Sequence, residues 1–464
     1  MHETSRHPER IGDELGRAEL GDARLSRRLS LLGERAMGTP EAGFPQMVAS
    51  DAELEGIYRF LSNEKVTAEG ILAPHVAATK ERAVSEGTVW VVHDSTSFEF
   101  GGSRPRKGLG LMIGNGQGFF AHMALAVAPG EARLPLGLLD LEHWPRHTRK
   151  HSNHNKETRK DPERESLRWG RMLERVEQQR AGRFSCIHIM DREADIIEVL
   201  LGARRLGARF VIRSAHDRAL VDGVRLRERV EALPVRLRQQ IKLTARSDKG
   251  RPGVLRKRHR QRGARSATVG ISGGAVQLTT GAHHADQAPI AINVVYVREI
   301  EPPQGEAPID WLLCTTEPID TDEQIVAVID AYRARWVIEE FFKALKTGCA
   351  LEKRQLESYR ALSNALAMFI PVAWRLLVAR SLARTAPDAP ASVFLSSVQL
   401  QLLKHKLQLN ALPLTLQQAT YAVARLGGHL RRNGPPGWQT LARGFEALLL
   451  MQAGWRAAVE VGVL

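Results

Sequence analysis

The sequence predicts an α/β protein: a mixed sheet covered by helices, with helical domains before and after it along the chain. Three β-rich segments lie in the middle of the chain, with a helical pattern between the last two: TVWVVHD, CIHIMD and RFVIRS. Strand, helix and strand in this order favour a mixed sheet with helices on its faces. Amphipathic helical patterns fill residues 10–85, and helical patterns return after residue 318.

The composition indicates a soluble protein with an anionic partner. The chain has 464 residues, enough for two or three domains. Its 66 Lys and Arg against 52 Asp and Glu leave a net charge of +14, which favours nucleic acid as the partner. Three scattered cysteines argue against a disulfide framework. The first thirty residues are polar, which argues against a signal peptide. The sequence lacks an uninterrupted apolar run of about 18 residues, which argues against a membrane span.

The N-terminal segment, residues 1–70, is predicted to be a small, all-helical domain. In LGDARLSRRLSLLGERAM the apolar residues recur close to helical spacing, and Arg24, Arg27 and Arg28 lie on the same helix. DAELEGIYRFL predicts a second amphipathic helix, which either Ser50 or Asp51 could cap. Three arginines on one helix suit an anionic partner such as DNA.

The central segment, residues 71–375, is predicted to hold the sheet. GFFAHMALAVAP and LPLGLLDLEHW are further strand candidates. Residues of about 220–310 contain the short strands QQIKLTA, SATVGIS, AVQLTT and INVVYVRE, with the basic segment RSDKGRPGVLRKRHRQRGAR between them. This pattern indicates a β-rich insertion with an exposed positive loop. Residues 376–464 are predicted to form a helical C-terminal domain.

The stretch AYRARWVIEEFFKALKTG, residues 331–348, predicts one long helix with a narrow polar stripe. At about 100° per residue, one side carries Tyr332, Arg335, Glu339, Lys343 and Lys346. The purely structural interpretation is a solvated amphipathic helix with ion pairs such as Arg335 to Glu339. The alternative is a carboxylate surrounded by cations and a phenol, as a metal-dependent phosphoryl-transfer site requires.

Two further acids follow β-rich segments. Asp94 ends TVWVVHD and Asp191 ends CIHIMD, where a rigid strand would hold each carboxylate at a sheet edge. The alternative for each is a turn or helix-cap residue. Glu99, Glu193 and Asp195 are interpreted as loop or helix-start residues. Three carboxylates of this kind would suit Mg²⁺ or Mn²⁺ and not zinc.

These motifs resemble those of a known family. Tyr332-x2-Arg335-x3-Glu339-x6-Lys346 resembles the Tyr-Arg-Glu-Lys signature of the IS-four family of bacterial transposases. DREADI, which begins at Asp191, and HDSTSF, which contains Asp94, resemble its two aspartate motifs. The resemblance implies a ribonuclease-H-like core with a catalytic, metal-binding triad of Asp94, Asp191 and Glu339, holding two Mg²⁺ ions that Mn²⁺ can replace. The spacing of 339 − 191 = 148 residues is accounted for by the insertion.

The resemblance also implies DNA-binding roles. Tyr332, Arg335 and Lys346 would contact phosphates near the transposon end, and Lys343 lies on the same face. Trp311 would stack on a base flipped from the DNA, although a core tryptophan beside a strand is the alternative. The remaining implied contacts are Arg192, Arg213, Arg24 and Arg28, the last two reading the end sequence. The chain departs from the family in one respect, since it has no tyrosine between Tyr58 and Tyr296 to help hold the flipped end.

The resemblance therefore implies a cut-and-paste transposase of the bacterial cytoplasm and nucleoid, acting on double-stranded DNA as a homodimer without a nucleotide cofactor. A different ribonuclease-H-like nuclease and a non-catalytic DNA-binding inhibitor remain as alternatives. His147, His151 and His154 have spacings that could bind zinc, but a flexible loop near DNA is favoured. The glycine-rich GLGLMIGNGQG matches no nucleotide-binding motif.

Overall fold

The computed structural model describes residues 10–102, 104–112, 116–146, 161, 163–245, 263–393, 395–409, 413–430, 432 and 434–461. Within them the helices are α1 (Ile11–Leu15), α2 (Ala23–Gly38), α3 (Phe44–Met47), α4 (Asp51–Ser62), α5 (Ala68–Glu86), α6 (Arg168–Arg180), α7 (Ile197–Leu206), α8 (Leu226–Glu231), α9 (Asp322–Arg333), α10 (Trp336–Lys343), α11 (Tyr359–Thr385), α12 (Ser397–Leu407), α13 (Leu416–Leu426) and α14 (Trp438–Glu460). The strands are β1 (Thr88–Phe100), β2 (Gly110–Leu111), β3 (Gln117–Val127), β4 (Pro135–Trp144), β5 (Ser185–Met190), β6 (Arg209–Arg213), β7 (Leu237–Leu243), β8 (Arg265–Leu278), β9 (Ile290–Glu299) and β10 (Asp310–Thr315). The predicted mixture of strands and helices is confirmed.

The chain divides into two compact units. The first unit comprises Met1–Arg164, Arg175–Cys186 and Trp336–Leu464, and the second comprises Glu165–Glu174 and Ile187–Arg335. The boundaries proposed at 70/71 and 375/376 therefore fall inside α5 and α11, and the N- and C-terminal helices belong to the same unit. Tertiary contacts join these helices, whereas the sequence pattern records only local periodicity.

The first unit combines an antiparallel sheet with most of the helices. β3 pairs with β1 along its length, and β2 and β4 pair with different parts of β3. α11 packs against α2, α4, α5 and β4. Its buried Asn364 amide donates to the carbonyls of Leu61 and Val66 at 2.9 and 3.0 Å, which fixes α11 against the segment after α4. The N-terminal helices thus share the core of this unit with α11.

The helices predicted near the N-terminus are confirmed. The Asp22 carboxylate accepts from the Arg24 amide at the start of α2. Ser50, one of the two candidates, caps α4 by accepting from the Glu53 amide. These side chains satisfy amide groups that a helix start leaves without partners in the helix.

The second unit contains a mixed sheet in the order β5-β6-β10-β9-β8-β7. β5 and β6 are parallel, joined by α7, and the other pairs are antiparallel. The predicted strands of the insertion are present, and they extend this sheet because β10 pairs with β6 on one side and β9 on the other. A core that includes Trp169, Met190, Phe210 and Leu226 packs against the sheet.

Three sequence predictions need correction here. Asp94 does not end its strand, because β1 continues to Phe100 in register with β3. SATVGIS and AVQLTT form one strand, β8, through Gly273 and Gly274. These glycines are not turn residues: added Cβ atoms would lie 3.0 Å from the Ile325 and Leu233 side chains, so close packing explains them.

The third correction concerns residues 331–348, which do not form one continuous helix. α9 ends at Arg333, a turn contains Ala334 and Arg335, and α10 begins at Trp336. Beyond Lys343 the chain forms a π-helical turn, Ala344–Gly348. The single helical wheel therefore does not describe the polar stripe. The apolar face is partly confirmed, since Ile338, Phe341, Ala344 and Leu345 are buried but Val337 is not fully buried.

Among the described residues, α11 alone is long and apolar enough to cross a membrane by length and composition. Its most apolar window is entirely buried within the protein. A core helix of a globular protein satisfies the same criterion, so this is weak evidence for a membrane span.

Candidate functional site

Asp94 lies in the middle of β1, in the first unit, opposite Met123 of β3. Its side chain is buried, and its Oδ1 atom accepts a hydrogen bond from the Ser95 amide at 2.7 Å. Strand pairing on β3 fixes the backbone on both sides of Asp94. The carboxylate is therefore held on a rigid strand, although not at the strand end that the sequence predicted.

Glu339 lies in the first turn of α10, which belongs to the first unit and packs directly against β1. Burial of Ile338 and Phe341 on α10 leaves Glu339 half-buried on an adjoining part of the helix surface. The structure therefore brings together the two elements that carry Asp94 and Glu339.

Two lysines follow Glu339 in the first unit. The Lys343 Nζ atom lies 5.2 Å from the ring centroid of Trp336, which is 56% exposed. The Lys346 Nζ atom lies 5.5 Å from the ring centroid of Phe98 on β1 and 3.9 Å from a carboxylate oxygen of Glu352. Ammonium groups that rest on aromatic faces stay close to solvent and can pair with an anion.

Asp191 follows β5 directly, as predicted, and lies in the second unit. Its Oδ1 atom accepts from the Glu193 amide at 2.8 Å, so it also caps the short 3₁₀ helix Arg192–Ala194. Burial is the largest effect on its carboxyl group and raises its pKa, to which the charge of Glu193 adds. The charges of Arg335 and Arg168 oppose this rise, which shows that both guanidinium groups lie in its electrostatic environment.

A second cluster in this unit joins Tyr332, Trp311 and Arg213. The rings of Trp311 and Tyr332 meet edge to face with centroids 5.4 Å apart, and the Arg213 guanidinium carbon lies 5.7 Å from the Trp311 centroid. Arg213 also donates to the Asp310 carbonyl at 3.0 Å. Tyr332 is buried, whereas Trp311 is only half-buried beside the buried Leu312. Trp311 is therefore not a fully buried core tryptophan.

Arg213 is a desolvated cation. Burial lowers its pKa, which the hydrogen bond and charge of Tyr332 partly oppose. Burial likewise raises the pKa of Tyr332, opposed by Arg213 and Arg335. The cluster therefore presents positive charge and an aromatic surface at low local polarity. Such a setting strengthens the attraction of a phosphate or a base.

The remaining predicted contacts are Arg192, Arg24 and Arg28, of which Arg192 acts through its charge on Arg213 and adds to the effect of burial in lowering the pKa of that residue. Arg192 is exposed in the 3₁₀ helix after Asp191. Arg24 and Arg28 line a cleft of about 480 Å³ between α2 and α4, together with Arg27 and Arg35. Arg24 is strongly exposed and pairs with Asp22 at 2.8 Å. The guanidinium of Arg28 occupies the space where a Cβ on Gly56 would lie.

Several residues around the candidate site belong to no sequence motif that predicts a functional role. Arg168 pairs with Glu193, and Glu352 accepts from the Glu99 amide at 3.0 Å while approaching Lys346. Trp336 is exposed and lies between Arg335 and Glu339, so its position within the signature is the sequence signal that marks it. Arg168 is 25 residues from Glu193 and Glu352 is 253 residues from Glu99, so only the fold shows these two contacts. His147, His151 and His154, and most of the basic segment 246–265, lie outside the described residues.

Comparison with known proteins finds two family models along the chain. The model described as transposase DNA-binding matches residues 10–66, and the model described as transposase DDE domain matches residues 147–370. Asp191 and Glu339 lie inside the second match, and Asp94 lies outside it. Among solved structures, the chain is similar to a piggyBac transposase synaptic complex with hairpin DNA, at 8% identity and a TM-score of 0.34, over 82% of this chain and 75% of that chain.

Proposed function

We propose that this chain, which matches models described as transposase DNA-binding and transposase DDE domain, is a DNA transposase and a cut-and-paste enzyme of the IS-four family. The DDE domain implies a ribonuclease-H-like core. The finer assignment rests on the spacing of Tyr332, Arg335, Glu339 and Lys346 and on the DREADI motif. In particular, RWVIEEFFKALKTG resembles the corresponding segment in the transposase of transposon Five.

In this proposal Asp94, Asp191 and Glu339 are the catalytic carboxylates and would hold two Mg²⁺ ions, for which Mn²⁺ could substitute. The donor set fits, because all three offer carboxylate oxygens and none of the three offers sulfur or imidazole. The position of Asp191 also fits, since a carboxylate whose pKa is raised by burial is stabilised by a nearby cation. When bound, the metal would supply Lewis acidity for attack on a phosphodiester.

The chain's own side chains would hold the DNA. Tyr332, Arg335 and Lys346 would bind phosphates near the transposon end, with Lys343 and Arg192 as additional cations. Arg213 and Trp311 would hold a flipped base and its phosphate. Their support is the Tyr332–Trp311–Arg213 cluster, which couples an aromatic surface to a desolvated cation. This cluster is the structural observation that supports the contacts with a flipped base and its phosphate.

Residues 10–66 would recognise the inverted repeats, with Arg24 and Arg28 facing DNA from the α2–α4 cleft. Hydrolysis would free a 3′-hydroxyl, which would attack a phosphodiester of the opposite strand, close a hairpin and release the flanking DNA with a 3′-hydroxyl. Hydrolysis of the hairpin would restore the 3′-hydroxyl of the transposon end, which would then attack target DNA. The C-terminal helices would pair two subunits, for which the 63% exposed Leu450 and 39% exposed Trp455 of α14 are suitable apolar contacts. The protein would act in the bacterial cytoplasm on nucleoid DNA.

The test uses DNA that carries the inverted repeats flanking the gene. The full chain and Glu339→Gln would be incubated with it in Mg²⁺ and in Mn²⁺, and the strands separated on a denaturing gel. We expect nicks and hairpins at the repeat boundary from the unmodified chain alone. End binding without cleavage by the unmodified chain would favour a non-catalytic binder, and cleavage away from the ends would favour a general nuclease.

A further inference from the structure

Asp195 is a carboxylate of the second unit that accepts hydrogen bonds from four residues, and its contacts join the two parallel strand ends of the candidate site. It is 1% exposed. Its Oδ2 atom accepts from the Ala215 amide at 2.7 Å, the His216 amide at 3.0 Å and the Ser214 hydroxyl at 3.1 Å. Its Oδ1 atom accepts from Arg218 at 2.6 Å.

Asp195 thereby connects the segment after β5 with the segment after β6. Asp191 directly follows β5 and lies four residues before Asp195, whereas Ser214 directly follows Arg213 at the end of β6. Arg218 strengthens the connection by also donating to the Asp195 carbonyl at 2.7 Å. Since β5 and β6 are adjacent and parallel, this link closes their two carboxyl ends against each other.

The same link reaches the aromatic cluster. The Ser214 amide donates to the Leu312 carbonyl at 2.7 Å, and Leu312 directly follows Trp311 on β10. One buried carboxylate therefore constrains the backbone that carries Asp191, Arg213 and Trp311. A buried charge with this many donors is well stabilised, but removing one partner leaves unpaired polar groups in the interior.

We propose that Asp195 is a positioning residue for the reaction: it fixes the turn that orients the Asp191 carboxylate toward its metal. The inference rests on the proposed function for the role of Asp191, and it assigns Asp195 no contact with metal or DNA. Groups that orient a metal ligand typically change metal affinity or activity about 10–100-fold when they are altered.

The experiment uses the full chain and four variants. Asp195→Asn keeps the shape of the side chain but removes the charge that Arg218 and the amides require. Arg218→Gln weakens the same link from its other side. Asp222→Asn is the matched control, because the half-exposed Asp222 pairs with Arg229 in the same unit but outside this link. Asp191→Asn defines the loss of the metal ligand itself.

The first measurement is Mn²⁺ binding, followed by the electron paramagnetic resonance signal of free Mn²⁺. We expect about tenfold weaker binding for Asp195→Asn and for Arg218→Gln, and binding within about twofold of the unmodified chain for Asp222→Asn. The second measurement is the Mg²⁺ dependence of single-turnover nicking of end DNA. The half-saturating Mg²⁺ concentration should rise about tenfold, and excess Mg²⁺ should restore most of the rate.

The outcomes separate this inference from the proposed function. Unchanged half-saturation for both metals would overturn the positioning role, even if a lower melting temperature showed that Asp195 supports the fold. Absence of Mn²⁺ binding by the unmodified chain would overturn it as well. Weaker Mn²⁺ binding by Asp195→Asn, with no cleavage by any version, would support the inference and refute the proposed transposition chemistry. Should Asp195→Asn fail to fold, Arg218→Gln decides the question.

Discussion

Arg375→Met is expected to destabilise the first unit strongly, because Arg375 neutralises a buried carboxylate. Glu14 on α1 is fully buried, and Arg375 on α11 donates to its Oε2 atom at 2.8 Å. His75 on α5 contacts the other oxygen through Nδ1 at 2.7 Å. Its Nε2 atom accepts from the Leu138 amide at 3.1 Å, so the imidazole is neutral and Arg375 supplies the compensating charge.

The magnitude follows from this arrangement. Burial alone would raise the pKa of Glu14, but His75 and Arg375 together lower it well below its ordinary value. Removal of one partner of a buried ion pair typically costs about 3–5 kcal/mol of unfolding free energy. With an unfolding entropy of about 2.1 cal/mol/K per residue, a unit of roughly 300 residues loses about 1.5 °C per kcal/mol, so the melting temperature should fall by about 5–8 °C.

The assay is thermal unfolding of the full chain at pH 7, with DNA binding measured below the transition. Arg380→Met is the matched control on the same helix, because Arg380 is 30% exposed and its Glu340 partner is 3.7 Å away. A partly exposed pair contributes about 1 kcal/mol or less. Glu14→Gln combined with Arg375→Met should recover part of the loss, since no unpaired charge remains.

A loss below about 1 kcal/mol for Arg375→Met, equal to that of Arg380→Met, would refute the reasoning. It would show that the Glu14 carboxyl takes up a proton readily or that water reaches it. Because Glu14 lies within the matched DNA-binding residues, the same variant tests whether α1 is anchored to α11.

Three further predictions follow from individual residues. Gly137→Ala should lower the free energy of unfolding by about 3 kcal/mol or more, measured in denaturant, because Gly137 has φ +137° and an added Cβ would lie 2.1 Å from Thr79 Oγ1. Gly182→Ala is the control: Gly182 has φ +73° in open space, and its substitution should cost about 1 kcal/mol. Equal losses for the two variants would contradict the clash at Gly137. Glu339→Gln should lower the rate of nicking of end DNA at least about 1000-fold, while the affinity for the ends, measured by gel shift, stays within about threefold of the unmodified chain. Parallel loss of the nicking rate and the affinity would argue against a catalytic role for Glu339. Burial lowers the pKa of His75 below 6.5, so on acidification the unfolded chain takes up a proton at this residue that the folded chain does not. The melting temperature of the unmodified chain should therefore fall between pH 7.5 and pH 5.5 by more than that of His75→Gln. A rise of the melting temperature over this range would be inconsistent with a buried neutral imidazole.

Local sequence patterns predicted the elements that depend on local chemistry. The apolar runs CIHIM and RFVIR gave β5 and β6, and the position of Asp191 directly after β5 followed from the same pattern. The spacing of the signature residues carried the family resemblance, and the matched DNA-binding and DDE domains agree with it at the level of the transposase class. Ser50 was recognisable as a cap because a hydroxyl before a helix satisfies a free amide.

Tertiary structure decided what local periodicity could not. The sequence alone determined which residues are acidic, basic or aromatic and which segments are helical or extended. It did not determine that the chain turns between Arg333 and Trp336, because no proline or glycine marks that turn and the two helices pack in different units. The partners of Asp195 and Glu14 lie about 20 to 360 residues away, so only folding brings them within hydrogen-bond distance. Buried polar groups need such partners wherever the chain provides them, and that requirement is satisfied in three dimensions and not along the sequence.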